Sequence, residues 1–89
     1  MVTTDDPKLQ KVLDDFARAR EAGLTFHHPL WRHRKKGTVY RVTGFCVRES
    51  DVTACVLYQE NAFYLDDTYN PVWCRPVEEF LDGRFEKIP

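Results

Sequence analysis

The sequence predicts a mainly β domain with one N-terminal α-helix, whose strands curl into a small barrel or roll. Three observations predict this class. Residues 5–22 repeat apolar side chains at helical spacing. Later segments are rich in β-branched and aromatic residues and are separated by turn residues. The longest of these segments has no cleanly polar face, as expected for a strand in a curled barrel rather than an open sheet.

Size and charge limit the possibilities further. The 89 residues suffice for one domain, with the helix in residues 1–23 and the barrel in residues 24–89. A net charge of −1 exerts no global attraction on nucleic acid or membranes, so any electrostatic function must come from local clustering. No run of about 18 apolar residues occurs, and the N-terminus is acidic and polar, which predicts a cytoplasmic protein without a signal peptide.

The N-terminal helix has clear boundary signals. Asp6 is a good N-cap, Pro7 fits the first helical position, and Gly23 is a natural stop. One apolar stripe is predicted along the helix, made of Leu9, Val12, Leu13, Phe16 and Ala19. We expect this stripe to pack on the domain's own sheet. A contact with a second copy, giving a homodimer, or with a partner protein stays an open alternative.

A basic β-hairpin follows the helix and a linker that holds His27 and His28. Residues 31–35 alternate as a strand, and Lys36 with Gly37 forms the predicted turn because glycine adopts positive φ without strain. Residues 38–47 read as the longest strand, with a bulge or sharp bend at Gly44.

The next hairpin is predicted to turn at Ser50 and Asp51. This turn places Cys46 opposite Cys55, a strand residue of segment 53–59. The three cysteines are expected to act as small buried hydrophobic side chains, although a Cys46–Cys55 disulfide is possible under oxidation.

The remaining segments are shorter. Residues 60–71 hold either a short strand at 62–65 or an ordered functional loop. Residues 72–75 read as a strand ended by Pro76, residues 77–81 as one helical turn, and residues 84–88 as a last short strand after a tight turn.

An ordered set of motifs resembles a known family. The motifs are W-R-H-R-K-K-G-T-V-Y-R-V-T-G, then V-L-Y, then V-W-C-R-P-V-E-E-F-L-D-G-R-F-E-K, which together span about residues 31–87. They resemble DUF1653, a family of small bacterial and bacteriophage proteins of unknown function. The resemblance implies an SH3-like β-barrel or roll and implies no activity. The residues that match the family pattern are His33, Lys36, Gly37, Tyr40, Val56, Tyr58, Trp73, Arg75, Pro76 and Phe80.

The hairpin's cations lie close in sequence to aromatic residues, a combination that suits a phosphate-bearing ligand because the base can stack while the phosphate pairs. The leading hypothesis is therefore a non-enzymatic binding module for a small anionic, nucleotide-like ligand. The candidate ligand-binding residues are Trp31, His33, Arg34, Lys36, Tyr40, Tyr58, Trp73 and Arg75. The alternatives are a solvated hairpin tip and an Arg75 that pairs with Glu49, Glu78 or Glu79 to hold the barrel together.

Two other functions stay open. The helix stripe or the segment 60–71 would serve a module that binds a host protein. Nucleic-acid binding is a weaker alternative, because the helix is acidic and the net charge is −1. The sequence shows no catalytic motif. Its histidine and cysteine spacing matches no structural zinc pattern, so no metal and no cofactor is predicted.

Overall fold

The computed structural model describes residues 4–24, 29–61 and 70–89. His27, His28 and the predicted strand at 62–65 lie outside the described residues. The elements, in chain order, are α1 (Pro7–Glu21), β1 (Leu30–His33), β2 (Val39–Arg48), β3 (Thr53–Glu60), β4 (Trp73–Pro76), α2 (Val77–Phe80) and β5 (Phe85–Lys87).

Helix α1 begins and ends where its boundary residues predict. The Asp6 carboxylate accepts hydrogen bonds from the backbone N–H groups of Lys8 at 2.9 Å and Leu9 at 3.4 Å, which satisfies two donors that the helix itself leaves unpaired. Pro7 is the first helical residue, and Gly23 follows the helix with φ +82°, a conformation that glycine adopts without strain.

The described strands form one antiparallel sheet in the order β4-β3-β2-β1-β5. The expectation of a closed barrel is wrong, because among the described residues β4 pairs only with β3 and β5 only with β1. Closure would require hydrogen bonds between these two edge strands, which have only four and three residues. Helix α2 follows β4 at once and carries the chain across the end of the sheet. The fold is therefore mainly β with an open sheet.

The β2–β3 hairpin is the longest pairing in the sheet. Its register shifts between Val42 and Gly44, so the predicted irregularity near Gly44 is confirmed. Cys46 lies directly opposite Cys55, as the predicted turn requires. Both cysteines have free thiols.

The core lies between one face of the sheet and the two helices. Its buried apolar side chains are Val12, Ala19, Leu24, Trp31, Val42, Ala54, Val56, Tyr58, Val77, Phe80 and Phe85. Phe16 of α1 meets Phe45 of β2 with ring centroids 5.6 Å apart, and Val12 and Ala19 are buried, whereas Leu9 of the predicted stripe is 41% exposed. Phe80 and Phe85 stack at 4.2 Å and connect α2 to β5. In the described ranges no helix is both long enough and apolar enough to cross a membrane.

Candidate functional site

One end of the core-facing side of the sheet is left open by the two helices and forms a groove of about 120 Å³. We call it the aromatic groove. Its lining residues are His33, Lys36, Tyr40, Tyr58, Trp73, Arg75 and Phe85. Six of these seven belong to the set predicted from the sequence.

Strand pairing explains why residues so far apart in sequence meet here. Successive side chains on a strand point to opposite faces, whereas directly paired residues share a face. His33 pairs with Phe85 across β1 and β5, and Tyr58 pairs with Trp73 across β3 and β4. Arg75 lies two residues beyond Trp73, on the same face. The register alone therefore assembles the groove from both edges of the sheet.

Phe85 forms the floor of the aromatic groove. Its ring centroid lies 5.1 Å from that of His33, 5.7 Å from that of Tyr58 and 6.0 Å from that of Tyr40, in edge-to-face arrangements. Because aromatic rings favour this geometry, the cluster holds the groove walls in fixed orientations. Phe85 is not among the residues predicted from the sequence. The available signal was its position in a short predicted strand, but its partner strand β1 could not be identified from sequence.

Arg75 is held by neutral partners. Its Nε donates a hydrogen bond to the Tyr58 hydroxyl at 3.2 Å, and its Cζ lies 5.7 Å from the Phe85 ring centroid. This hydrogen bond raises the pKa of Arg75, so the guanidinium is charged. None of the ion pairs among the described residues includes Arg75, and Glu78 pairs with Lys11 instead. The structure therefore contains no ion pair between Arg75 and Glu49, Glu78 or Glu79.

His33 has a fixed orientation beside the two cations. Its Nδ1 accepts a hydrogen bond from the Lys36 backbone N–H at 3.2 Å, which leaves the ring proton on Nε2 when the ring is neutral. Burial lowers the pKa of His33, and the positive charges of Lys36 and Arg75 lower it further. In the free protein His33 is thus a neutral donor at neutral pH. Burial also raises the pKa of Tyr40, whose hydroxyl stays protonated.

Two predicted residues lie away from the groove. Trp31 shares the same sheet face but is only 6% exposed, because Phe80 covers it with ring centroids 5.4 Å apart. Arg34 lies on the exposed turn between β1 and β2 and does not line the groove. Trp73, by contrast, is 52% exposed at the groove's edge.

The charged side chains among the described lining residues of the aromatic groove are all positive. Lys36 and Arg75 contribute two cations, His33 adds a donor, and none of the described lining residues is a carboxylate. A larger cavity of about 300 Å³ lies between α1 and the β2–β3 turn, but its charges are mixed. There Lys11 already pairs with Asp15 and Glu78. The aromatic groove is therefore the better candidate for an anion, which charged donors bind strongly when no carboxylate competes.

Comparisons with known proteins identify a family whose function is unknown. The sequence profile of the family described as "Protein of unknown function (DUF1653)" matches residues 29–87, about two thirds of the chain. This range contains all seven described lining residues of the aromatic groove. Searches of curated proteins and of solved structures found no significant match.

Proposed function

The chain belongs to the family of proteins of unknown function DUF1653, and from the groove that this family segment forms we propose that it is a non-enzymatic binding module. Its ligand is a small anion of the nucleotide type. A cytoplasmic setting is part of the proposal. So is the SH3-like character of the sheet, which is supported by a strand order in which a helical turn connects the two edge strands.

One observation carries the proposal: Lys36 and Arg75 reach a groove walled by aromatic rings, and neither cation forms an ion pair with a described carboxylate. The guanidinium can bind a phosphate with two parallel hydrogen bonds, and the lysine adds a point charge. The planar faces nearby suit a nucleobase, since base–aromatic stacking contributes about 1–3 kcal/mol per base.

The size of the groove decides how such a ligand would lie. A volume of about 120 Å³ is well below the roughly 300 Å³ at which pockets begin to enclose a drug-sized molecule. The groove therefore takes one part of the ligand, and we assign it the phosphate, beside Lys36 and Arg75. The rest extends over Trp73, whose exposed ring offers a stacking surface at the edge strand.

A thermal-shift screen with nucleotides, cyclic nucleotides and dinucleotides tests the proposal. At a concentration of about one hundred times its dissociation constant, a specific ligand stabilises the folded state by about 2.7 kcal/mol. The chain offers a matched pair of variants on one exposed turn. Lys36→Ala and Lys35→Ala remove the same charge, but only Lys36 lines the groove. We expect Lys36→Ala and Arg75→Ala to lose the shift and Lys35→Ala to keep it.

Two results would contradict the proposal. One is a screen without any ligand-specific rise in melting temperature. The other is an equal loss of the shift in Lys35→Ala and Lys36→Ala, because this would mean that general positive charge, rather than the groove, attracts the ligand. Steep salt dependence without base preference would instead favour nucleic-acid binding.

A protein-interaction module is the second candidate, and one observation favours it. Val72 and Trp73 are 56% and 52% exposed at the start of edge strand β4. An edge strand beside exposed apolar side chains can receive a strand from a partner protein. Under this alternative Trp73→Ala would abolish capture of a single protein partner, whereas Lys36→Ala would leave that capture unchanged.

A further inference from the structure

The chain's three cysteines meet on the side of the sheet opposite the aromatic groove. Cys46, Cys55 and Cys74 come from the adjacent strands β2, β3 and β4. Cys46 pairs directly with Cys55, and Cys74 pairs with Leu57, two residues along β3 from Cys55. Because side chains alternate along a strand, this register places all three thiols on one face. Their sulfur atoms all lie within 4.8 Å of one another.

One of the three sulfur–sulfur distances equals that between tetrahedral metal ligands, and all three are within 4.8 Å. A tetrahedral Zn²⁺ site has Zn–S bonds of about 2.3 Å, which places two ligand sulfurs about 3.8 Å apart. The Sγ atoms of Cys46 and Cys74 are 3.8 Å apart. We propose that Cys46, Cys55 and Cys74 form a three-cysteine site for a thiophilic metal ion, Zn²⁺ in tetrahedral coordination, with water as the fourth ligand.

The same geometry argues against a disulfide as the purpose of the cluster. The sulfurs of Cys46 and Cys74 are in contact, but the two residues do not lie on neighbouring strands, because β3 lies between β2 and β4. A disulfide forms without backbone movement only where the Cα atoms lie within about 7 Å, a spacing typical of neighbouring strands rather than of strands two apart. A disulfide between Cys46 and Cys55 would leave the third thiol unused. A metal ion uses all three thiols where they lie.

The solvent access and the net charge of the cysteine cluster also suit a bound metal ion. Cys74 is exposed, Cys46 is half-buried and Cys55 is fully buried, so the site opens to solvent on one side, where a fourth ligand can enter. Metal ions bind cysteine as the thiolate, so the bound ion would displace the thiol protons into solvent. Three thiolates on Zn²⁺ carry a net charge of −1. Because the site opens to solvent beside the exposed Cys74, water and dissolved ions screen this charge.

Titration of the fully reduced chain with Zn²⁺ and with Co²⁺ tests the site. We expect one metal ion per chain by native mass spectrometry. Bound Co²⁺ should show a thiolate charge-transfer band and the visible bands of tetrahedral coordination. Cys74→Ser changes an exposed side chain and should fold normally, yet bind the metal at least about tenfold more weakly, since even the loss of a residue that only supports a ligand costs this much. Cys46→Ser should weaken binding similarly.

The control is the double variant His27→Gln with His28→Gln, which removes the chain's two consecutive histidines. It should bind the metal normally. The proposal is overturned if the chain, with three free thiols verified by thiol titration, fails to bind Zn²⁺ and Co²⁺. It is equally overturned if Cys74→Ser and Cys46→Ser bind as tightly as the original chain, or if binding is lost in the histidine variant alone. Circular dichroism of each variant separates loss of the site from loss of the fold.

Discussion

The hydrogen bond between Arg75 and Tyr58 links the stability of the sheet to the orientation of the groove's main cation. Tyr58→Phe deletes the hydroxyl that accepts from Arg75 Nε at 3.2 Å and keeps the ring. That ring is 5% exposed and packs against Tyr40 at 5.2 Å and Phe80 at 5.3 Å. Because the ring contacts survive, the substitution leaves no cavity large enough to matter. The lost hydrogen bond therefore dominates the change in stability.

The expected loss is about 1 kcal/mol. Hydrogen bonds to charged groups contribute about 1.5–3 kcal/mol when they are well buried. The guanidinium of Arg75 is only partly buried, so water replaces some of the lost interaction and the contribution is smaller. For a domain of this size, about 1 kcal/mol corresponds to a melting temperature lower by about 4–8 °C. Anion affinity should fall by up to about tenfold, since Arg75 loses its fixed orientation.

Urea denaturation of Tyr58→Phe, Arg75→Met and the double variant measures the contact directly. Arg75→Met keeps an apolar stem of similar length, so the cycle isolates the hydrogen bond from general packing. We expect the midpoints to fall with unchanged slopes and the two substitutions to be coupled by about 1 kcal/mol. Strict additivity, within about 0.3 kcal/mol, would refute the view that this contact holds the guanidinium.

Three other predictions follow from single contacts. Phe80→Ala should destabilise the domain by about 3–5 kcal/mol, because the side chain is fully buried and stacked on Phe85, and the calorimetric melting transition should shift far downward or disappear. Asp6→Ala should cost about 1 kcal/mol in urea denaturation, through loss of the N-cap of α1, and an unchanged midpoint would contradict the cap's role. His33 should titrate by NMR below its ordinary pKa of about 6.5. The stability linked to neutral His33 is then fully present above pH about 6.5 and is lost as the pH falls through the lowered pKa. His33→Gln should remove this pH dependence of the free energy of unfolding.

Local structure was largely predictable from the sequence. The limits of α1 followed from Asp6, Pro7 and Gly23, because capping and breaking act over one turn. The turn at Ser50 and Asp51 fixed the pairing of Cys46 with Cys55 for the same reason, since the register of a hairpin depends on its own turn. Six of the eight candidate site residues line the groove. All six are among the residues that match the family pattern, and Lys36, Tyr40, Trp73 and Arg75 also combine cations with aromatic residues close in sequence.

The features that could not be predicted from the sequence all depend on contacts between segments that are distant along the chain. The pairing of β1 with β5 brings Phe85 beside His33, and no local pattern specifies that register. The burial of Trp31 was unpredictable for the same reason, since the side chain that covers it, Phe80, belongs to helix α2, which is distant along the chain. The three thiols form a cluster only because β2, β3 and β4 lie side by side, whereas zinc motifs are recognised by close spacing along the chain.

The pairing of β1 with β5 also bears on how the molecule assembles. Joining His33 to Phe85 closes a loop of about fifty residues, whereas joining Cys46 to Cys55 closes one of about ten. From an unstructured chain the longer closure costs about 1.5 kcal/mol more in entropy. We expect the β2–β3 hairpin to form early and β5 to dock last. Since Phe85 is the floor of the aromatic groove, a partly folded chain would lack the groove, and anion binding would report completed folding.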